Sequence, residues 1–112
     1  MARPVRVTVG GVGVSPPVPL NNYTSPFNVA VGCDVSTGAV GITYSVEYTY
    51  DDVFAANFNP TTATWFSLTN ITAQTADKDG SFISPVTAVR LNITASTSGT
   101  VTMTIIQAGG EL

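Results

Sequence analysis

Histidine is absent from this chain of 112 residues, and cysteine occurs once, as Cys33. The absence of histidine excludes every His-dependent catalytic triad and removes the commonest metal ligand. A single cysteine excludes an intrachain disulfide and a zinc site built from thiolates. No cationic residue is near Cys33 in the sequence, so we expect a buried, small apolar residue rather than a reactive thiol.

Charge is scarce as well: charged residues make up 10% of the chain, and the net charge is −3. The basic residues are Arg3, Arg6, Lys78 and Arg90. They are too few and too scattered to neutralise a row of phosphates, which argues against nucleic-acid binding. No apolar run is long enough to span a bilayer, so no membrane partner is expected. The N-terminus is not typical of a signal peptide and, with no disulfide to form, we expect synthesis in a reducing cytoplasm.

Strong helix formers are rare, because the chain holds four leucines and two glutamates. By contrast, 17 threonines, 15 valines and 6 isoleucines together supply 38 β-branched residues. Such side chains lose rotamer freedom in helices and pack well on a pleated sheet. The length suits one domain, so the sequence predicts a single all-β domain.

Strict alternation of side chains predicts the strands. In the longest one, residues 40–50, one face would carry Val40, Ile42, Tyr44, Val46, Tyr48 and Tyr50. Other strands are expected at 3–11, 27–35, 86–94 and 100–108, with the last two forming a hairpin across the turn "ASTSG". Short strands with turns between them indicate an antiparallel β-sandwich of the jelly-roll type or another Greek-key type.

The N-terminal segment differs in composition from the rest. Residues 1–19 are apolar and rich in proline and glycine, and both of their charges are positive. We therefore divide the chain into an extended N-terminal strand and arm, 1–19, and a β-sandwich, 20–112. An arm of this kind could add a strand to a partner's sheet, although an ordinary first strand and loop fits equally well. Arg3 and Arg6 are predicted to contact an acidic neighbour.

Carboxylates do not form a catalytic pattern. A glycosidase needs two of them across a cleft, but Glu47 falls on the strand face opposite the tyrosines. Asp51 and Asp52 are adjacent and suit a turn. Asp77 and Asp79 resemble the start of a calcium loop, but the third ligand and the distant glutamate are missing. We predict no catalytic residue, no cofactor and no metal site, and hence no enzyme.

Aromatic residues are the remaining candidates for binding. Tyrosines that alternate with valine and isoleucine are more often core than a ligand platform. Tyr50, at a strand end, and Trp65 are predicted as partner contacts. A carbohydrate-binding platform would require an exposed row drawn from Tyr23, Tyr44, Tyr48, Tyr50 and Trp65.

Three segments carry a resemblance that covers most of the chain, from about Tyr23 to Gly109. They are "YTSPFNVAVG", "TYSVEYTYDDVFAANFNPTTATWF" and "SPVTAVRLNITASTSGTVTMTIIQAG". Together they resemble small virion structural proteins of tailed bacteriophages. In size and composition the chain is most similar to a capsid decoration, or cement, protein.

The resemblance implies a jelly-roll or sandwich domain on the capsid exterior of a virion. Such proteins form homodimers or homotrimers that bridge neighbouring major capsid protein subunits. A clamp that binds only the mature lattice stabilises it by mass action, and many equivalent sites tolerate modest affinity per contact. Two alternatives remain open: a neck, tail or fibre component of the virion, and a carbohydrate-binding attachment module.

Overall fold

Nine β-strands run through the part of the chain that the computed structural model describes, which is residues 5–20, 28–53, 55–82 and 86–108. Among these residues there is one 3₁₀ turn, Thr69–Ile71, and no α-helix. The strands are β1 (Val5–Gly10), β2 (Gly13–Val14), β3 (Val18–Pro19), β4 (Asn28–Val35), β5 (Thr43–Thr49), β6 (Phe66–Ser67), β7 (Lys78–Phe82), β8 (Ala88–Ala95) and β9 (Thr100–Ala108). No helix of the described residues is long and apolar enough to cross a membrane.

The strands form two antiparallel sheets. The four-stranded sheet has the order β1-β9-β4-β7. The five-stranded sheet has the order β2-β8-β5-β6, and β3 also pairs with β8. The predicted all-β sandwich is therefore confirmed.

The strand pairs are nested. Strand β1 pairs with β9, β2 and β3 pair with β8, β4 pairs with β7, and β5 pairs with β6. Counting β2 and β3 as one interrupted strand, the first of eight strands pairs with the last, the second with the last but one, and so on inward. A long hairpin folded over into two sheets in this way is a jelly roll. Of the predicted Greek-key types, the chain has this one.

The core lies between the two sheets, and alternation decides which side chains enter it. The inward residues of the central strands include Val29, Val31, Tyr44, Val46, Val89, Leu91, Ile93, Val101, Met103 and Ile105, all of them buried. The Tyr44 hydroxyl donates a hydrogen bond of 2.6 Å to the carbonyl of Ala76, which satisfies the buried polar atom of that ring. Cys33 is also buried, as predicted, and its burial raises the pKa of the thiol to about 12.

The predicted C-terminal hairpin is wrong. Strand β8 lies in the five-stranded sheet and β9 in the four-stranded sheet, so the chain crosses between sheets at residues 96–99. Gly99, with a φ of 105°, belongs to this crossing. Both strands still face the core, but from opposite sides. Alternation specifies which face of a strand is buried and does not specify the sheet.

The long strand is shorter than predicted. It starts at Thr43, where the pairing with β8 shifts register, and not at Val40. Gly41 precedes it with a φ of 68°, and Val40 makes only an isolated bridge to Ser98. Val40 is consequently 54% exposed, whereas it was expected on the core face.

Residues 5–19 contribute strands to both sheets. Strand β1 is an edge strand with six register pairs to β9, from Val5 opposite Ile105 to Gly10 opposite Thr100. Between β2 and β3, the Ser15 hydroxyl accepts a hydrogen bond of 2.9 Å from the backbone N–H of Leu91. This side chain bonds the chain to β8 at the point where the strand is interrupted before two prolines.

Candidate functional site

Four aromatic rings meet at one edge of the sandwich, and we call this cluster the aromatic corner. It consists of Tyr48, Tyr50, Phe66 and Phe82. Tyr48 lies at its centre, with ring centroids 5.7 Å from Tyr50, 5.8 Å from Phe66 and 5.2 Å from Phe82. Two of these contacts are edge-on and one is stacked, which are arrangements that aromatic rings favour.

Strand register explains how the corner forms. Tyr48 on β5 is directly opposite Phe66 on β6, the edge strand of the five-stranded sheet. Phe82 belongs to β7, the edge strand of the four-stranded sheet, so its contact with Tyr48 joins the two sheets. Tyr50 follows one residue after β5 ends and folds against both Tyr48 and Phe66.

The four rings differ in exposure. Phe82 is buried and Tyr48 is partly buried, whereas Tyr50 is 56% exposed and Phe66 is 45% exposed. Tyr50 is thus presented to solvent at the place where the sequence predicted a partner contact. Phe66 was not predicted as a binding residue. The signal that could have identified it is its register opposite Tyr48, which a single sequence does not contain.

Trp65 lies apart from the aromatic corner, on the outer face of the five-stranded sheet. The Arg90 guanidinium is 4.2 Å from the centroid of the Trp65 ring, and the indole N–H donates a hydrogen bond of 3.0 Å to the carbonyl of Pro60. Arg90 also pairs with Glu47, opposite it on β5. The indole is therefore held by contacts within the chain. As the alternation predicted, Glu47 and the tyrosines are on different faces.

A shallow pocket of about 350 Å³ lies in the loop that follows Tyr50. It is lined by Asp51, Asp52, Ala55, Asn57, Phe58, Asn59, Thr62 and Ala63. Asp51 also has a local role, because its Oδ2 accepts a hydrogen bond of 2.9 Å from the backbone N–H of Thr64. This agrees with the predicted turn role of that residue.

The two predicted arginines are not part of the aromatic corner. Arg6 is exposed on the edge strand β1, and Arg3 lies outside the described residues. Asp77 accepts a hydrogen bond of 2.8 Å from the backbone N–H of Val35, so this aspartate joins the start of β7 to the end of β4. Within the described residues, no group of three or more His, Cys, Asp or Glu is placed to hold a metal ion.

Comparison with known proteins adds little to this geometry. No protein-family model and no curated protein sequence matches the chain. A solved structure of Bacillus endospore appendages, described as a family of disulfide-linked pili, is similar over 95% of this chain and 88% of that chain. The identity is 18% and the TM-score 0.37, values too low to carry an argument about function.

Proposed function

We propose that this chain is a structural virion protein that binds the outer surface of a tailed-phage capsid and cements neighbouring major capsid protein subunits, without catalysis. The observation that carries the proposal is the exposure of Tyr50 and Phe66 on the aromatic corner. The resemblance of the sequence to decoration proteins suggests the capsid as the partner, and the corner offers a surface for it.

The corner has the physical properties of an interface centre. Aromatic side chains dominate the binding energy of protein interfaces when they become fully desolvated. Tyr50 and Phe66 are already in contact with each other and with Tyr48, which is fixed in turn by Phe82. Because these rings are ordered before binding, the entropy lost on association is small. An interface of small area can then be sufficient, because many copies bind the same shell.

Binding of the purified protein to expanded capsids that lack it tests the proposal. We expect saturable binding that falls at least about tenfold in a Tyr50→Ser/Phe66→Ser double variant, since two anchors each contribute on the order of 1–2 kcal/mol. Val12→Ser is a matched control, because Val12 is also a large apolar residue, 68% exposed. It lies between β1 and β2, which are the edge strands at the other side of the two sheets from β7 and β6. Equal binding of the double variant and the control would contradict this use of the corner.

The same experiment separates the capsid from other parts of the virion. A neck, tail or fibre component would bind isolated tails or neck complexes and not the shell. Its copy number would be near ten per virion rather than hundreds, which is a rough expectation from closed cyclic symmetry. Binding to tails alone would replace the capsid proposal with this one.

A carbohydrate-binding attachment module is the second candidate, and the pocket beside Tyr50 favours it. Two aspartates and two asparagines line this pocket, and an exposed ring precedes it in the chain. The expected row of rings is incomplete, however, because Tyr44 is buried and Trp65 lies on another face. Retention of the protein on immobilised host polysaccharide, lost in Tyr50→Ser and kept in Val12→Ser, would support this candidate over the capsid.

A further inference from the structure

The outer face of the four-stranded sheet has a regular arrangement of residues that register places in rows. The central row crosses all four strands, with Arg6 on β1, Thr104 on β9, Gly32 on β4 and Asp79 on β7. The row on one side contains Ile106, Ala30 and Ser81, and the row on the other contains Thr8, Thr102 and Asp34. We call this surface the outer face.

The two halves of the outer face are complementary to each other. The β1 edge carries a cation, Arg6, whereas β4 and the β7 edge carry Asp34 and Asp79. Side-chain size also differs between the two halves: β9 presents the larger Ile106, which is 46% exposed, opposite the smaller Ala30 on β4. Next to that pair, Thr104 of β9 lies opposite Gly32, where an added Cβ would meet no atom within 4 Å.

We propose that the outer face binds the outer face of a second copy of this chain, with a twofold axis parallel to the strands. This dimer is independent of the capsid role, because it forms or fails to form in the purified protein alone. The argument depends on which residues a twofold axis would bring together, since each contact in such an interface occurs twice.

An axis parallel to the strands, running between β9 and β4, exchanges these two strands and also exchanges β1 with β7. Each row is then laid over itself in reverse. Arg6 of each copy lies over Asp79 of the other, and Ile106 lies over Ala30. Thr104 lies over Gly32, so a larger side chain meets a smaller one along the centre of the contact.

The charges select this axis. A twofold axis that runs along the central row, perpendicular to the strands, would leave each strand over its own copy. Arg6 would then face Arg6, and Asp79 would face Asp79. Like charges brought together destabilise an interface, so the pattern favours the parallel axis. Sheets stacked face to face with strands nearly aligned also correspond to the ordinary packing of β-sandwiches, at about 10 Å.

The expected affinity is modest. Four strands about 4.8 Å apart form a narrow surface, so the area buried per partner is well below the roughly 800 Å² that stable complexes bury. We therefore expect a dissociation constant in the micromolar range or weaker. Exposed ion pairs are screened by salt, so the dimer should weaken as ionic strength rises and the Debye length shortens from about 10 Å at 0.1 M.

A double-mutant cycle that exchanges the charges of Arg6 and Asp79 tests the dimer. Sedimentation equilibrium at low salt measures the dissociation constant of each variant. Arg6→Asp and Asp79→Arg should each raise the dissociation constant at least about tenfold, because each creates two pairs of like charges. The double variant Arg6→Asp/Asp79→Arg restores both pairs with their signs exchanged, and its dissociation constant should return to within about threefold of the wild type.

Lys78→Glu is the matched control for the charge reversal. It changes the net charge by the same amount as Arg6→Asp, and Lys78 is next to Asp79 but in register with Cys33, on the alternate side of β7. We expect the dissociation constant of Lys78→Glu to stay within about threefold of the wild type. An equal effect of Lys78→Glu and Arg6→Asp would show a general effect of net charge and would overturn the proposal.

Gly32→Gln tests the shape of the contact without changing charge. The space above Gly32 accepts a side chain in the monomer, so the variant should fold normally but lose the dimer at every salt concentration. A protein that stays monomeric at about 1 mM overturns the proposal. So does a dimer that tolerates Gly32→Gln, or a dimer that is not recovered in the double charge variant. Either result would place the contact elsewhere, for example at the outer edge of β1, which pairs with no other described strand.

Discussion

Arg90 and Glu47 face each other across β8 and β5, with 2.7 Å between Nε of the arginine and Oε1 of the glutamate. Both side chains are mostly buried, at 14% and 15% exposure. Asn92 donates a further hydrogen bond of 3.1 Å to the other carboxylate oxygen. The carboxylate thus bonds two residues of β8 and helps to position the guanidinium against Trp65.

Removal of the Glu47 carboxylate should destabilise the fold. In Glu47→Ala we expect the free energy of unfolding to fall by about 2–3 kcal/mol, because a mostly buried guanidinium loses its counter-charge. Urea denaturation followed by Trp65 fluorescence measures this. Glu47→Gln, which keeps an acceptor oxygen, should lose less. A loss below about 0.5 kcal/mol in Glu47→Ala would mean that solvent replaces the ion pair without penalty.

The aromatic corner should divide into residues that support the fold and residues that do not. Phe82→Ala should lower the free energy of unfolding by about 3–4 kcal/mol, because it empties a buried site that joins the sheets. Tyr50→Ser should change it by about 1 kcal/mol or less, since Tyr50 is already 56% exposed. Thermal or urea unfolding compares the two variants. Equal losses would assign Tyr50 to the core and remove its availability for a partner.

The crossing between sheets should depend on glycine at position 99. A methyl group added there would lie 2.5 Å from Cβ of Ala39 and 2.8 Å from its Cα, and the φ of 105° is unfavourable for alanine. Gly99→Ala should therefore cost about 2 kcal/mol or more of stability. Gly32→Ala, with open space above it, should be neutral or slightly stabilising by a few tenths of a kcal/mol. Similar melting temperatures for the two variants would contradict the crossing geometry.

Stability should fall at alkaline pH because of Cys33. Its pKa rises from 9.0 in the unfolded chain to about 12 in the fold through burial. Below pH 9 the thiol is protonated in both states, whereas above pH 9 the unfolded state releases its proton first. The free energy of unfolding should then decrease by roughly 1.4 kcal/mol per pH unit up to about pH 12.

Cys33→Val isolates this contribution, because valine keeps an apolar side chain of similar size without a titrating group. Burial raises the pKa of Tyr44 as well, with further contributions from Cys33, Asp77 and Asp34, so some alkaline sensitivity should remain in the variant. The difference between the two proteins in urea titrations from pH 8 to about pH 11 is the measurement. Parallel curves would mean that Cys33 titrates normally in the fold.

The sequence was sufficient to predict which side chains are buried on the regular strands. Val46, Leu91 and Met103 follow strict alternation, and burial of one face of a strand is a local property of a period of two. The long strand departed from prediction where local geometry intervened: Gly41 turns the chain before Thr43, and Val40 is left in solvent.

Pairing partners could not be predicted in the same way. The small residues between β8 and β9 suit a hairpin turn and a crossing between sheets equally, and only the tertiary pairing with β5 and with β1 and β4 distinguishes them. The same limit applies to the aromatic corner. Tyr50 was found from its position at a strand end, but Phe66 becomes part of the corner through a register that two distant segments define together.

The position of β9 between β1 and β4 has a consequence for biosynthesis. A nascent chain that has emerged only as far as β8 contains both neighbours of β9 but lacks the strand that joins them, so the four-stranded sheet cannot assemble until residues 100–108 leave the ribosome. During that interval the edges of β1 and β4 are unpaired and open to other chains.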